Sequence, residues 1–293
     1  MKLIDGRKTA ELIKEEIKKE IAVMIDKSDK SPHLAAVLVG DDPASQTYVS
    51  GKEKACKKVG MMSSVYKHPA NISEKELLEV VDFLNGDPEI DGFIVQLPLP
   101  DHINEQKIIE AIDPRKDVDG FHPVNLGRMI TGMPAYVPAT PLGIMTLLER
   151  YEIETEGKNC VVIGRSNIVG TPVGILMSRK SDPGNATVTL CHSKTENLKD
   201  IAAQADIIIA AIGKAGFVTA DMVKKDAVVI DVGIHRIKSD QTKTGYKLVG
   251  DVDFDGVSKK CSYITPVPGG VGPMTIVSLL TNTLKASKKE IYG

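Results

Sequence analysis

Short apolar runs alternate with longer amphipathic stretches from one end of this 293-residue chain to the other. Residues 34–40, Leu-Ala-Ala-Val-Leu-Val-Gly, are wholly apolar, the pattern of a parallel strand covered on both faces. A helix is predicted from about Ser45 to Val59 and a strand over Ser63–His68. A further helix follows over Ser73–Leu84, with Ser73 as N-cap and Glu76 completing a capping box. Strand Gly92–Leu97 and helix Asn104–Ala111 come next. After a long helix at about Thr140–Tyr151 the rhythm restarts, with apolar strands at Cys160–Gly164, Thr187–Cys191, Ile207–Ala211 and Val228–Val232 and a last helix at Met274–Ala286. Two α/β units in series are predicted, each around a mostly parallel sheet. Ligands bind beyond the carboxyl ends of such strands, so the loops after residues 40, 97, 164, 191, 212 and 232 are the candidate sites.

Composition narrows the classes. A net charge of -2 gives no electrostatic case for nucleic acid. Residues 1–24 alternate acids and lysines on a helical period, unlike a signal or transit peptide. No window approaches the ~18 uninterrupted apolar residues of a membrane span. Cys56, Cys160, Cys191 and Cys261 are scattered without metal-ligand spacing and read as reduced thiols of a cytoplasmic protein.

Three places carry candidate chemistry. Residues 264–276, Ile-Thr-Pro-Val-Pro-Gly-Gly-Val-Gly-Pro-Met-Thr-Ile, hold three prolines and three glycines, which argues against helix or central strand. The segment is either a tight turn before the last helix or a lip of exposed amides beside a ligand, with Pro273 and Thr275 suiting the helix start. Residues 161–170, Val-Val-Ile-Gly-Arg-Ser-Asn-Ile-Val-Gly, read as strand, small-residue turn and helix start, although Ser166 replaces the second glycine of a dinucleotide fingerprint. An NAD site normally ends the next strand with an acid. Here residues 190–195 read Leu-Cys-His-Ser-Lys-Thr, with no acid before Glu196. Arg165, Ser193 and Lys194 suit a ribose 2′-phosphate, which favours NADP, while Lys194 taken alone is an ordinary solvated charge.

In the first unit, Tyr48, Val49, Ala55, Cys56 and Val59 all fall within about 60° of Lys52 on a helical wheel. Lys54, Lys57 and Lys58 fall on the far, solvated side. Lys52 either snorkels along its stem to water or is desolvated, which lowers its pKa toward a range useful for proton exchange. Tyr48 offers a ring to a flat ligand or packs in the core. Gln96, at the carboxyl end of its strand, lies within reach of Lys52 and can donate and accept at once. The loop 113–121 brings in Asp117 and Asp119. One of these carboxylates suits an amino-substituted heterocycle, and Asp117 reads as an ordinary acidic loop residue.

Five motifs occur in order: Tyr48-Val49-Ser50-Gly51-Lys52, Val95-Gln96-Leu97-Pro98-Leu99-Pro100, Lys116-Asp117-Val118-Asp119-Gly120-Phe121-His122, the 164–170 turn, and Pro266 to Thr275. Together they resemble the bifunctional methylenetetrahydrofolate dehydrogenase/methenyltetrahydrofolate cyclohydrolase family over essentially the whole chain. The resemblance implies two α/β domains with a cleft between them. Residues 1–139 would form the folate-binding catalytic domain, with helix 274–293 packing back on it, and 140–273 a Rossmann-like NADP-binding domain. It implies NADP-dependent oxidation of 5,10-methylenetetrahydrofolate to the methenyl form, then hydrolysis to 10-formyltetrahydrofolate, in a homodimer. By the same resemblance Lys52, Gln96 and Tyr48 are catalytic. Tyr48, Lys52, Val95, Gln96, Leu97, Asp119, Pro268, Gly269, Gly270, Val271, Gly272, Pro273, Met274, Thr275 and Ile276 line the folate site. Gly164, Arg165, Ser166, Ile168, His192, Ser193 and Ile234 hold the cofactor. Two other readings are a dehydrogenase without hydrolytic activity, which the presence of both Lys52 and Gln96 opposes, and a nucleotide-sensing module without catalysis.

Overall fold

The structure is a computed structural model that describes residues 1–27, 29–240, 242 and 245–292. The chain divides into two compact units, Met1–Ala10 with Thr140–Thr275, and Glu11–Ala139 with Ile276–Gly293. In chain order the elements begin with β1 (Lys2–Leu3), α1 (Gly6–Asp26), β2 (His33–Val39), α2 (Pro43–Val59), β3 (Met62–His68), α3 (Glu74–Gly86), β4 (Gly92–Val95), α4 (Glu105–Ala111), α5 (Pro123–Ile130) and α6 (Ala139–Arg150). There follow β5 (Asn159–Ile163), α7 (Gly170–Ser178), β6 (Thr187–Cys191), α8 (Leu198–Ala202), β7 (Ile207–Ala210), β8 (Val228–Asp231), β9 (His235–Lys238), β10 (Tyr246–Val249), α9 (Phe254–Val257), β11 (Tyr263–Ile264) and α10 (Val271–Ser287).

The unit containing residues 11–139 holds a three-stranded parallel sheet in the order β3-β2-β4. β2 is central and buried at every position, as a run of apolar residues must be when both faces are covered. Helix α2 starts because Asp42 accepts the Ser45 amide at 2.7 Å and Pro43 is pre-set for a first turn. It stops at Gly60, whose φ of 86° few other residues adopt without strain. Val49, Ala55, Cys56 and Val59 face the core. The capping box at Ser73 and Glu76 is formed, and α3 packs Leu77, Val81 and Leu84 into a cluster with Val37 and Phe93.

The other unit contains a six-stranded, all-parallel sheet in the order β1-β11-β8-β7-β5-β6, with an antiparallel hairpin, β9–β10, outside it. Residues 1–10 group here, not with 11–139 as the sequence reading has them, because β1 pairs with β11. β5, β7 and β8 are buried along nearly their whole length. β6 departs from the expectation of a fully apolar strand. It pairs only with β5, and Thr187, Thr189 and Leu190 are exposed.

Helix α10 also begins earlier than expected, at Val271. Pro273 is its third residue, where a missing N–H costs nothing because the first-turn amides have no intrahelical acceptor. The hairpin and α5 carry no sequence prediction. α5 is capped by His122, an unusual cap residue, whose Nδ1 accepts the Val124 amide at 3.0 Å.

Within the three-stranded unit, the buried Asn282 of α10 donates to the carbonyls of Val118 at 2.8 Å and Val137 at 3.0 Å. Asn282→Ala leaves both carbonyls without a donor. It should lower stability by roughly 2–3 kcal/mol, read from the urea midpoint of the purified protein.

Candidate active site

Lys52 sits on α2 half-buried, and its Nζ donates to Gln96 Oε1 at 3.1 Å. The Gln96 amide is held in that orientation because its Nε2 donates to the Leu97 carbonyl at 2.7 Å and its backbone N–H to Val37 at 2.9 Å. Two residues 44 apart in sequence thus meet at the carboxyl ends of the neighbouring strands β2 and β4. Burial pulls Lys52 below the ordinary lysine range, and the nearby charge of Asp119 opposes that pull. Burial likewise pushes the Asp119 carboxyl up, and Lys52 draws it down. Among the described residues no donor hydrogen-bonds to the Asp119 carboxylate. Cys56, one turn along α2, is pushed up to about 12 by burial and remains a neutral thiol.

Other expected positions fall around this pair. Tyr48 is 47 % exposed, so its ring is not core, against the packing reading. Val95 is buried and Leu97 half-buried. Ile276 approaches Gly51, next to Lys52, closely enough that a Cβ on Gly51 would lie 3.8 Å from its Cδ1. Asp117 corrects the sequence reading of an ordinary acidic loop residue. It is 1 % exposed, and its oxygens accept the amides of Phe121 at 3.1 Å and His122 at 2.8 Å and the Asn125 side chain at 2.8 Å.

In the six-stranded unit the proline- and glycine-rich segment divides in two. Residues 266–270 form a loop, and 271–275 are the first residues of α10. Gly269 accepts the Arg7 amide through its carbonyl at 2.9 Å, and a Cβ on Gly6 would meet the Gly270 carbonyl oxygen at 1.8 Å. Pro268 and Gly272 are exposed, Gly269, Pro273 and Thr275 half-buried, and Gly270, Val271 and Met274 buried. The lip of the sequence reading is therefore only partly open, because its buried members pack into the unit.

The carboxyl ends of β5, β6, β7 and β8 lie along one edge of this parallel sheet and carry the expected cofactor residues. Gly164 has φ of 127°, and a Cβ there would lie 2.0 Å from the Ala211 carbonyl oxygen. A Cβ on Gly170 would lie 2.1 Å from the Gly164 oxygen, so both positions require glycine. Ser166 Oγ accepts the amides of Val169 at 3.2 Å and Gly170 at 3.3 Å, standing in the turn where a glycine is missing from the fingerprint. Arg165, Ser166, Ile168, Ser193, Lys194 and Ile234 are exposed. His192 Nδ1 accepts the Lys194 amide at 3.1 Å, which shapes the turn after β6.

Sequence reasoning missed the acids that fix this edge. Asp231 accepts amides from Gly233, Asp251 and Val252 at 2.9–3.0 Å. Asp251 accepts those of Ile212, Gly213 and Lys214 at 2.7–3.0 Å, and His235 Nε2 at 2.7 Å. An aspartate ending the apolar run Val228–Asp231 was the one available signal.

Residues 4–119 match the catalytic domain of tetrahydrofolate dehydrogenase/cyclohydrolase, and residues 138–291 match its NAD(P)-binding domain. The chain belongs to the tetrahydrofolate dehydrogenase/cyclohydrolase family. It is 61 % identical over 292 residues to the bifunctional protein FolD of Phocaeicola vulgatus, covering 100 % of both chains. The crystal structure of the bifunctional FolD dehydrogenase/cyclohydrolase of Campylobacter jejuni is similar, with a TM-score of 0.93, 50 % identity and 99 % coverage of each chain. The Trypanosoma brucei enzyme, solved with NADP cofactor and an inhibitor, aligns with a TM-score of 0.92 at 38 % identity, over 100 % of this chain and 99 % of that one. The expected family and the two α/β domains, one of them Rossmann-like, are borne out. A tetrahydrofolate dehydrogenase/cyclohydrolase has both enzymatic activities that the sequence reading assigns. No helix among the described residues is long and apolar enough to cross a membrane.

Burial raises the Asp117 carboxyl from an ordinary 3.8 to about 7 and that of Asp231 to about 6. The folded tetrahydrofolate dehydrogenase/cyclohydrolase therefore holds these protons to higher pH than the unfolded chain does. Their contribution to stability falls as pH rises from the ordinary carboxylate range through the folded values. Asp117→Asn cannot titrate, and the thermal midpoint of that variant should fall less steeply between pH 5 and pH 8 than that of the wild type.

Proposed function

We propose that Lys52 is the proton carrier of the hydrolytic step, that Gln96 orients it, and that Asp119 and Tyr48 hold the folate. The observation that carries this reading is the Lys52–Gln96 hydrogen bond of 3.1 Å near a carboxylate, that of Asp119, to which none of the described residues donates. Asp119 matches the paired N–H donors of an aminopyrimidine edge, and the exposed Tyr48 ring suits stacking on a flat heterocycle. In hydrolysis, water adds to the methenyl carbon while Lys52, as free amine, takes a proton from it. The C–N bond to one ring nitrogen then breaks as Lys52 returns the proton to that nitrogen and the hydroxyl proton passes to solvent, leaving the formyl group on the other nitrogen. Gln96 accepts from the protonated Lys52 and keeps Nζ aimed through the cycle. Residues 268–276 are proposed to complete the folate site.

The turn at 164–170 fits a dinucleotide. Its two glycines bring strand and helix start together where any Cβ would clash, and the exposed stretch 165–168 leads into the N-terminus of α7. NADP bound there supplies a hydride acceptor for the methylene carbon of the substrate. Gly164, Ser166, Ile168, His192 and Ile234 are proposed to hold it, with Arg165 and Ser193 meeting the 2′-phosphate. The working form proposed is a cytoplasmic homodimer; the four buried, unpaired cysteines suit a reducing compartment.

Lys52→Met keeps the stem and removes the proton carrier. Cyclohydrolase activity, followed as loss of the methenyl chromophore, should fall by at least ~10²-fold while cofactor binding survives. Asp119→Asn removes the charge that raises the Lys52 pKa. The rising limb of the cyclohydrolase pH profile should therefore move to lower pH, whatever happens to its height. With methylenetetrahydrofolate saturating, kcat/KM for NADP should exceed that for NAD by roughly 10- to 100-fold, the range of one charge-assisted hydrogen bond. A preference for NAD would mean that Arg165 and Ser193 do not touch the cofactor.

A further inference from the structure

The carboxylate assigned to folate stands on a loop whose shape is set from behind. Asp117 and Asn125 are both buried, and Asn125 is satisfied on all sides. Its Nδ2 donates to Asp117 at 2.8 Å and to the Pro114 carbonyl at 2.9 Å. Its Oδ1 accepts the Tyr136 amide at 3.3 Å and the Tyr292 hydroxyl at 2.8 Å. Asp117 then gathers the amides of Phe121 and His122, closing residues 117–122 into a ring from which Asp119 projects. Gly120 completes that ring with φ of 74°, packed so that a Cβ would lie 2.7 Å from the Tyr136 carbonyl oxygen.

We propose that Tyr292 is a positioning residue for Asp119, acting through Asn125 and Asp117 on the loop that carries it. The inference rests on the reading of Asp119 as the folate anchor. Tyr292 is itself held: the Arg128 guanidinium lies 4.6 Å from its ring centroid, and the Tyr136 ring 5.9 Å away. Its hydroxyl makes the shorter of the two bonds to Asn125 Oδ1, on an amide whose direction Asp117, the Pro114 carbonyl and the Tyr136 N–H already fix. Without it, Oδ1 keeps only the long bond from Tyr136. The amide then loses one of its four anchors, and its hold on Asp117 and the 117–122 ring loosens. Asn282 grips the same loop from the other side through the Val118 carbonyl. The C-terminal segment therefore sets the loop at two points, and Tyr292 is the one whose hydroxyl can be deleted without changing shape.

The test is a double-variant cycle in the full-length enzyme with Tyr292→Phe, Asp119→Asn and both together, reading KM for methylenetetrahydrofolate, KM for NADP, kcat and the urea midpoint. Tyr292→Phe should raise the folate KM roughly three- to tenfold, the range of one hydrogen bond, with kcat and the NADP KM within about twofold of wild type. In the Asp119→Asn background the same change should add less than about twofold, because the group being positioned has already lost its charge. A folate KM unchanged in Tyr292→Phe while Asp119→Asn is impaired overturns the positioning role alone, even if the urea midpoint falls. Effects that multiply in the double variant also overturn it. A folate KM unchanged in Asp119→Asn overturns the anchor reading and the proposal with it.

Discussion

A cationic side chain drawn into an apolar helix face is costly unless something nearby receives its proton donors. The three-stranded unit meets that constraint at Lys52. β2 and β4 pair in parallel, so the residue after β4 emerges beside the turn into α2, and that residue is a glutamine whose oxygen faces Nζ. A carboxylate in direct contact would have locked the ammonium in its charged form. A neutral acceptor with Asp119 at longer range leaves the proton exchangeable, as the role proposed for Lys52 requires. Much of the local architecture, including the tight caps of α2 and the buried ring around Asp117, serves to keep these three groups where they are.

The repeating elements were legible in the chain because each is written locally. Buried parallel strands are short apolar runs, and α2 and α3 carry caps whose chemistry involves neighbours three residues apart. Even the meeting of Lys52 and Gln96 was legible, since the helix that carries Lys52 follows the first strand and Gln96 ends a strand at the same edge of a parallel sheet. The wheel also separated Lys52 from Lys54, Lys57 and Lys58, all of which are exposed. It placed Tyr48 on the right stripe but could not show that its ring is left about half exposed, because coverage is a property of other elements.

What stayed hidden was tertiary in origin. Asn125, Asn282 and Tyr292 do their work through partners 8 to 167 residues away, and no spacing rule connects them. Asp231, inside the predicted strand 228–232, and Asp251 show their common role only once the fold brings them together. The early start of α10 was masked by its composition, since glycine and proline argue against a helix interior but not against a first turn. β6 reads as one more apolar strand, and the strand order makes it an edge.

Asp251 has a consequence for how the cofactor edge treats charge. Three consecutive amides after β7 converge on its carboxylate, the arrangement by which backbone nests capture anions. That nest is already filled by the protein's own anion. An incoming phosphate would therefore meet amides at residues 212–214 that are already taken. By filling that nest with an aspartate, the chain withdraws these three amides from the donors that this edge of the sheet could offer an anion.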